Sequence, residues 1–525
     1  MGVRTWLGNK LFNIDKIVGD KMKTELNNRI LLNLGTTNRK SELLSYRQTE
    51  YSTWAKGSPE MLLEFYKTTR LPSNYNSRTM FWDWVGVSNN TPKLHFPLSQ
   101  SILNHMKSLL FSEELEMYIK TGNDTLDKSV NEDFKKLLDG IDFYELLQTS
   151  SYMETYSGTV GCKPFYDLSV RKYPITEPYP AERIEFTQKY NIAQEIIFKD
   201  YFEKDSHIYT LLSKYGKGYI DYELLNAQNN PVALTTLDET ANLKRIEFRY
   251  KGGLLDLMMA IYKKNRSVSH EFPDSMYGGS DFEGLLDVFH NADELYSLKS
   301  LYARRTRPIM SIHESELKYD DTTKQKTLPK EWEYDMTVTY GKEPDKVSLD
   351  RKVPEIHFEP YTTAILEEMK TAYQKIGMAY TSVGLEAHSA NISGAALNEK
   401  EKSTLIVRAN KIKLWKKYLK DFMRLMMIYS NLDKATIVET EEAKVYNLSD
   451  NYEYDYQVEF PTYRKQSFNE KLDEVTKAVQ GKVMDIKTAV DILYGNEYDE
   501  DEKREIVLNS KLENGTSVLP EDING

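Results

Sequence analysis

A single cysteine, Cys162, stands in the 525-residue chain, so no intramolecular disulfide and no cysteine-based zinc cluster can form, and a reducing compartment suits it. No apolar run approaches the roughly 20 residues of a membrane span. The first residues carry no signal-peptide core, so neither an anchor nor a leader is expected. An excess of basic charge is also missing: 69 Lys and Arg against 80 Asp and Glu leave a net charge of −11. That balance excludes a protein that coats nucleic acid generally. It still permits a wall past which DNA slides, because like charge avoids the ion pairs that make binding tight.

Catalytic signatures are absent too. There is no Gly-x-x-x-x-Gly-Lys-Ser/Thr phosphate loop, no Gly-x-Gly-x-x-Gly after a strand and no Gly-x-Ser-x-Gly elbow. The eight histidines are dispersed, and His290, His313, His357 and His388 have no second histidine at metal-ligand spacing. Asp320, Asp321 and Asp335 are too ordinary in a carboxylate-rich chain to mark a Mg²⁺ site. No enzyme activity, catalytic residue, metal or cofactor is therefore expected.

The most informative stretch that is present runs from Tyr361 to Ser430. Ile365, Leu366, Met369, Ala372, Tyr373 and Ile376 follow a 3.6-residue period, with Glu367, Glu368, Lys370 and Lys375 on much of the other face. Gly377 is the expected stop. A run of small residues from Ala379 to Ala396 follows, too long for a tight turn. A second helix is then expected from Ser393 past Met426. On it Leu405, Ile412, Leu419 and Met426 repeat every seven residues, and Trp415, Phe422 and Tyr429 follow the last three of these by three, marking a packing seam. Its first half carries Lys400, Lys402, Arg408, Lys411, Lys413, Lys416, Lys417 and Lys420 against Glu399 and Glu401. Those cations can be a solvated face, a contact for phosphates or partners for acids of an adjacent subunit. The 37 tyrosines suit protein interfaces, or reflect an AT-rich genome.

Along the chain, residues 1–45 are polar with a basic head. Helical patterns cover Tyr51–Tyr66, Pro97–Leu115 and residues 130–150. From Met153 to Arg249 short strands replace them, at Ser157–Asp167, Arg183–Phe186, Glu195–Tyr201, His207–Ser213 and Gly218–Leu224. Asp281–Arg304 reads as a helix closed by Pro308. Residues 309–358 are irregular and charged, with strand-like pieces at Met336–Tyr340 and Lys346–Leu349. After the long helix come strand-like stretches at Ala435–Glu442 and Tyr454–Phe460, three short helices between Ser467 and Leu512, and a polar tail read as disordered. Strands and helices do not alternate, so the class is α+β, not a doubly wound nucleotide-binding fold.

This order of parts resembles the portal, or head–tail connector, proteins of tailed double-stranded DNA bacteriophages, over roughly Tyr51 to Leu512. Ser393-Gly-Ala-Ala-Leu397 matches the Ser-Gly-x-Ala-Leu phrase that opens the family's long helix, and is the most specific signal. Trp54-Ala-Lys-Gly57 is similar to its short Trp–Gly signal. The stretch from His95 to Glu113 is similar to the helix before its Leu-Phe-Gly-Glu phrase, with Ser112 where glycine is common. Gly481 to Leu493 resembles its crown helices, with departures at Val483, Met484 and Asp485.

The resemblance implies an α/β wing (1–280), a helical stem (281–305 and 359–378), a small β-containing clip (306–358) and a tunnel loop (379–392). It further implies a long spanning helix returning to the wing (393–464), a helical crown (465–512) and a disordered tail (513–525). It implies a homo-oligomer, a dodecameric ring, at one capsid vertex of a virion assembled in the host bacterial cytoplasm. Double-stranded DNA would pass through it without sequence preference. The terminase large subunit and a head-completion adaptor would dock on the clip, where Arg304, Arg305 and Arg307 gather, and major capsid and scaffolding proteins would surround it. Thr381, Ser382, Val383, Gly384, Leu385, Glu386, Ala387, His388, Ser389 and Asn391 would line the channel, with Lys400, Lys402, Arg408 and Lys411 touching DNA or a neighbouring subunit. Two other classes stay open: another virion assembly protein, adaptor or capsid component, and a metal-dependent nuclease or nucleotidyl transferase without standard motifs.

Overall fold

The computed structural model describes residues 39–68, 81–82, 92–167, 170–190, 192–305, 309–313, 318–320, 325–327, 336–339, 350–352, 357–385, 394–461, 468–481, 483–494 and 500–513. The chain divides into two units, Met1–Phe460 and Pro461–Gly525, and the class is α+β as expected. The first unit opens with helices α1 (Arg39–Lys56), α2 (Pro59–Thr68) and α3 (Leu98–Phe111). One helix is expected over Tyr51–Tyr66, but Gly57 breaks it at φ +61, and a Cβ there would come within 1.5 Å of the Gln100 side chain. The positive φ is what calls for glycine, and a side chain there would also displace the Gln100 amide, so the Trp54–Gly57 phrase is a helix end. Trp54 is fully buried and donates to the Tyr66 hydroxyl (2.9 Å), which donates to Glu50 (2.7 Å).

Residues 130–150 are not one helix. Helix α4 (Asp124–Gly140) and helix α5 (Phe143–Ser157) meet at Asp142, which takes the left-handed φ of 54°. Helix α5 also runs past Met153, where strands are expected to begin. Its buried stripe is Phe143, Leu146, Leu147, Ser150, Ser151 and Glu154. That is helical spacing, but serine and glutamate complete it, and an apolar-only pattern cannot register them.

Strands follow in the expected region and beyond it. They are β1 (Glu116–Lys120), β2 (Thr159–Phe165), β3 (Ile175–Pro180), β4 (Ile184–Lys189), β5 (Ile192–Lys204) and β6 (His207–Gly216). Then come β7 (Tyr219–Leu225), β8 (Pro231–Val232), β9 (Arg245–Tyr250), β10 (Gly253–Leu254) and β11 (Ile261–Lys264). Asp205 and Ser206, at φ 52° and 61°, make the two-residue turn between β5 and β6, the left-handed pair that matches strand twist.

Helix α6 (Leu286–Arg305) begins later than the expected Asp281, because residues 281–285 are turns with Gly284 at φ +73. Five short strands follow: β12 (Ile309–His313), β13 (Lys318–Asp320), β14 (Gln325–Thr327), β15 (Met336–Thr339) and β16 (Asp350–Lys352). Strand β12 lies between β15, parallel, and β16, antiparallel, while β13 and β14 pair antiparallel. The expected strand at Lys346–Leu349 and Pro308 lie outside the described residues. Helix α7 (Glu359–Lys375) ends as expected at Gly377, φ +77, with Gly377 N–H on Gln374 O and Met378 N–H on Tyr373 O, a Schellman stop. Helix α8 (Gly394–Ser430) is 37 residues long.

Three further strands close the unit: β17 (Thr436–Glu439), β18 (Ala443–Leu448) and β19 (Asp455–Glu459). The large sheet has the order β17-β18-β9-β7-β6-β5-β4, with β8 beside β7 and β10 beside β9. Strand β18 joins β9 in parallel, and Phe248 stacks on Tyr446 at 5.7 Å. Strands β11-β2-β3 form a second sheet, and β1 pairs with β19. The carboxyl-terminal half of α8 is the central rod of the core. Trp415, Leu419, Phe422, Met423, Met426 and Tyr429 are buried in one cluster with Phe198, Tyr215 and Phe248 of the large sheet. Of the expected seam, Leu405 and Ile412 are only half-buried. The second unit has helices α9 (Phe468–Gln480), α10 (Ile486–Tyr494) and α11 (Glu500–Glu513), the three short helices expected there.

Candidate functional site: a helical strut, its clamp and a short loop

Helices α6 and α7 run antiparallel, and four contacts fix their register. Lys375 Nζ donates to Gly284 O (2.7 Å), Asn291 Nδ2 to Glu368 (3.3 Å) and Lys299 Nζ to Thr362 Oγ1 (3.0 Å), and the Tyr302 ring lies 5.9 Å from that of Tyr361. The body-side halves are buried: Leu286, Val288, Phe289 and Ala292 of α6, Ala372 and Tyr373 of α7, and Ile376 beyond its end. Farther along, Tyr296 and Leu366 are exposed. The pair is thus a strut rooted in the body with apolar side chains left on its sides.

The root is clamped by polar side chains that an apolar reading skips. Asp293 is buried and accepts from Trp82 Nε1 (2.9 Å) and from Phe96 N–H (2.7 Å), and lies 2.9 Å from His95 Nδ1. Burial pushes the Asp293 carboxyl above its ordinary range, against the His95 contact. One turn on, Ser297 Oγ accepts from Leu94 N–H at 3.0 Å. His95 and Phe96, part of the sequence phrase before α3, therefore strap the strut to the body. His290, on the same helix, is buried between Trp54 and Tyr66, with ring distances of 5.1 and 4.9 Å. Burial lowers its pKa to about 3, so it is a neutral packing group.

Below the clamp is a buried ionic hub. Lys411 Nζ lies 2.8 Å from Asp281 Oδ2 and also meets Asn265 Oδ1; Arg266 reaches the other Asp281 oxygen at 2.9 Å. Lys263 pairs with Glu154, which also accepts from Trp415 Nε1 at 2.9 Å. The hub ties α8 to the foot of the strut, β11 and α5, and it explains why Asp281 belongs to the body and not to the helix. Burial alone would raise the Asp281 pKa, but the Lys411 and Arg266 charges outweigh it and hold the carboxyl below its ordinary value. Such a group adds stability that is complete above the unfolded pKa of about 3.9 and is lost as pH falls through the lower folded value. Thermal midpoints should therefore fall as the pH drops below about 4, the ordinary carboxylate value, and fall less steeply in Asp281→Asn. Equal slopes in the two proteins would contradict the hub.

Between strut and long helix, Thr381–Val383 forms a 3-10 turn, with Gly384 at φ +74 and Leu385 N–H on Tyr380 O at 3.0 Å. Thr404 of α8 anchors it, accepting from Ala379 N–H (2.8 Å) and lying 2.9 Å from Ser382 Oγ. Thr381 is buried, and Val383 and Leu385 pack on the core. The first half of the expected loop is thus folded against the body; Glu386, Ala387, His388, Ser389 and Asn391 lie outside the described residues.

The basic residues separate. Lys411 does not face DNA or a neighbour, because Asp281 takes it inside the subunit. Arg408 Nε donates to Leu109 O at 3.0 Å, again within the chain. Lys402 is exposed on α8, and Lys400 sits in its first turns. Arg304 is exposed in the last turn of α6 and Arg305 ends the helix, while Arg307 lies outside the described residues. Among the described residues, no group of three His, Cys, Asp or Glu is placed to hold a metal, and no helix is long and apolar enough to cross a membrane.

No family model matches the chain, and no curated protein matches it. Among solved structures it is similar to a chain of the virion of a native gene transfer agent (GTA) particle. That likeness covers 79% of this chain and 90% of the other, at 10% identity and a TM-score of 0.34. A likeness so slight leaves function to be argued from the residues.

Proposed function

We propose that the chain is a portal subunit: copies close into a ring, of about twelve by the resemblance, whose bore carries double-stranded DNA into and out of a capsid. The antiparallel strut carries this reading. Its root is clamped by Asp293 and the ionic hub, its far end leads into a small β insert, and its flanks keep Tyr296 and Leu366 exposed. Such flanks suit neighbours around a ring, which bury apolar area between repeated copies. The net charge of −11 suits a wall that lets phosphates slide. In this reading the β insert is the dock for the terminase and later for an adaptor, and residues 386–391 reach toward the bore. Lys402, exposed on α8, and Lys400, in its first turns, would meet DNA or an adjacent subunit.

Deleting residues 386–391 should leave oligomer mass unchanged and impair DNA packaging severely, because Thr404 still holds the turn before them. Loss of the oligomer would show that these residues build the assembly, and full packaging would remove them from the bore. An adaptor or capsid component would instead give another closed or extended assembly by native mass.

A further inference from the structure

A groove of about 890 Å³ opens between α4, the start of α5 and the β1–β19 pair. Its floor is apolar, with Leu115, Met117, Phe134, Leu138 and Leu147, and Tyr118 and Tyr144 are exposed beside it. Its rim is acidic: Glu114, Glu116, Asp139, Glu145 and Glu459 line it, and Lys135 is the one lysine in the lining. One wall is an open strand edge. Ile119 exchanges backbone bonds with the Asn131 amide (both 2.8 Å) and Thr121 N–H meets Asp127, so the outer edge of β1 is closed at those positions. By strand alternation Met117 faces the same way, and there its N–H and C=O face the groove.

We infer that this groove docks the amino-terminal segment of its own subunit, residues 1–38. The segment reverses the charge of the whole chain: six Lys and Arg (Arg4, Lys10, Lys16, Lys21, Lys23, Arg29) against three Asp and Glu, a net +3 beside −11 overall. Between the cations it carries Trp6, Leu7, Leu11, Phe12, Ile14 and Ile17. An extended stretch bonding the Met117 edge sets apolar side chains on the floor and lysines on the carboxylate rim. The reach is adequate. Tyr152 of α5 donates to Ala55 O at 2.8 Å and Tyr156 bonds Ser52, so α1 runs antiparallel to α5 and starts beyond its far end. From there the groove is about 40 Å away at 1.5 Å per helical residue, and an extended chain of this length spans on the order of 100 Å. Tethering keeps the segment at high local concentration, which favours its own subunit over a separate copy.

Cross-linking the full chain tests this. Cys162 is buried, and burial pushes its thiol up to about 12, so it stays silent. With Leu11→Cys and Tyr118→Cys together, oxidation or a short bis-maleimide should join most chains at monomer mass. Adding Glu114→Lys, Glu116→Lys and Glu145→Lys should cut that yield at least fivefold. Leu11→Cys with Tyr190→Cys, at an exposed position between β4 and β5 that is not part of the groove lining, should give little product. Equal yields at the two sites, products only at dimer mass, no product, or no effect of charge reversal would each overturn the assignment. None of these readouts depends on ring formation.

Discussion

Trp415→Ala is expected to lower the stability of the first unit by about 3–5 kcal/mol, read as an earlier denaturant midpoint. The indole is fully buried, edge-on to Phe111 at 4.8 Å and to Tyr418 at 5.3 Å. Truncation leaves a cavity in the middle of the rod on which the sheets pack. It also takes the Nε1 donor from Glu154 and the ring face from beneath Lys263, whose nitrogen lies 4.5 Å from the centroid. A change below about 1 kcal/mol would mean the site collapses freely or is wet. Trp415→Phe should recover most of the packing and none of the hydrogen bond, which separates the two contributions.

Asp281→Asn should cost about 3–5 kcal/mol, because a buried charge that loses its partner is far more costly than a missing pair. The substitution removes the carboxylate charge and leaves Lys411 only neutral amide oxygens to bond, that of Asn265 among them. Lys411→Met should cost less, since Arg266 still neutralises Asp281 at 2.9 Å. The double variant should cost less than the sum of the two, as for residues in one network. Additive costs, measured by the same unfolding midpoints, would show that the two side chains act independently.

Much of this was legible in the sequence, wherever burial is written in apolar periodicity. Trp415, Phe422, Met426 and Tyr429 fall on the expected seam and are buried, and Gly377 stops α7 as its permissive backbone predicts. What escaped was polar burial. Ser150, Ser151 and Glu154 complete the stripe of α5, and Asp293 and Ser297 clamp α6, yet each reads as surface in a hydropathy pattern. Lys411 escaped for the same reason: a lysine among lysines gives no sign that a carboxylate 130 residues earlier will take it inside. Strand β1 was hidden because its partner β19 lies over 300 positions away, and pairing that remote is set by tertiary packing, not by local propensity. A serine or aspartate spaced with an apolar stripe is the usable signal for such clamps.

Imaging the purified chain by electron microscopy under assembly conditions tests the central claim most directly. The account predicts closed rings with a central hole wide enough for duplex DNA and one discrete number of subunits. Particles that remain single compact subunits, with no perforated ring under any condition tried, would contradict it.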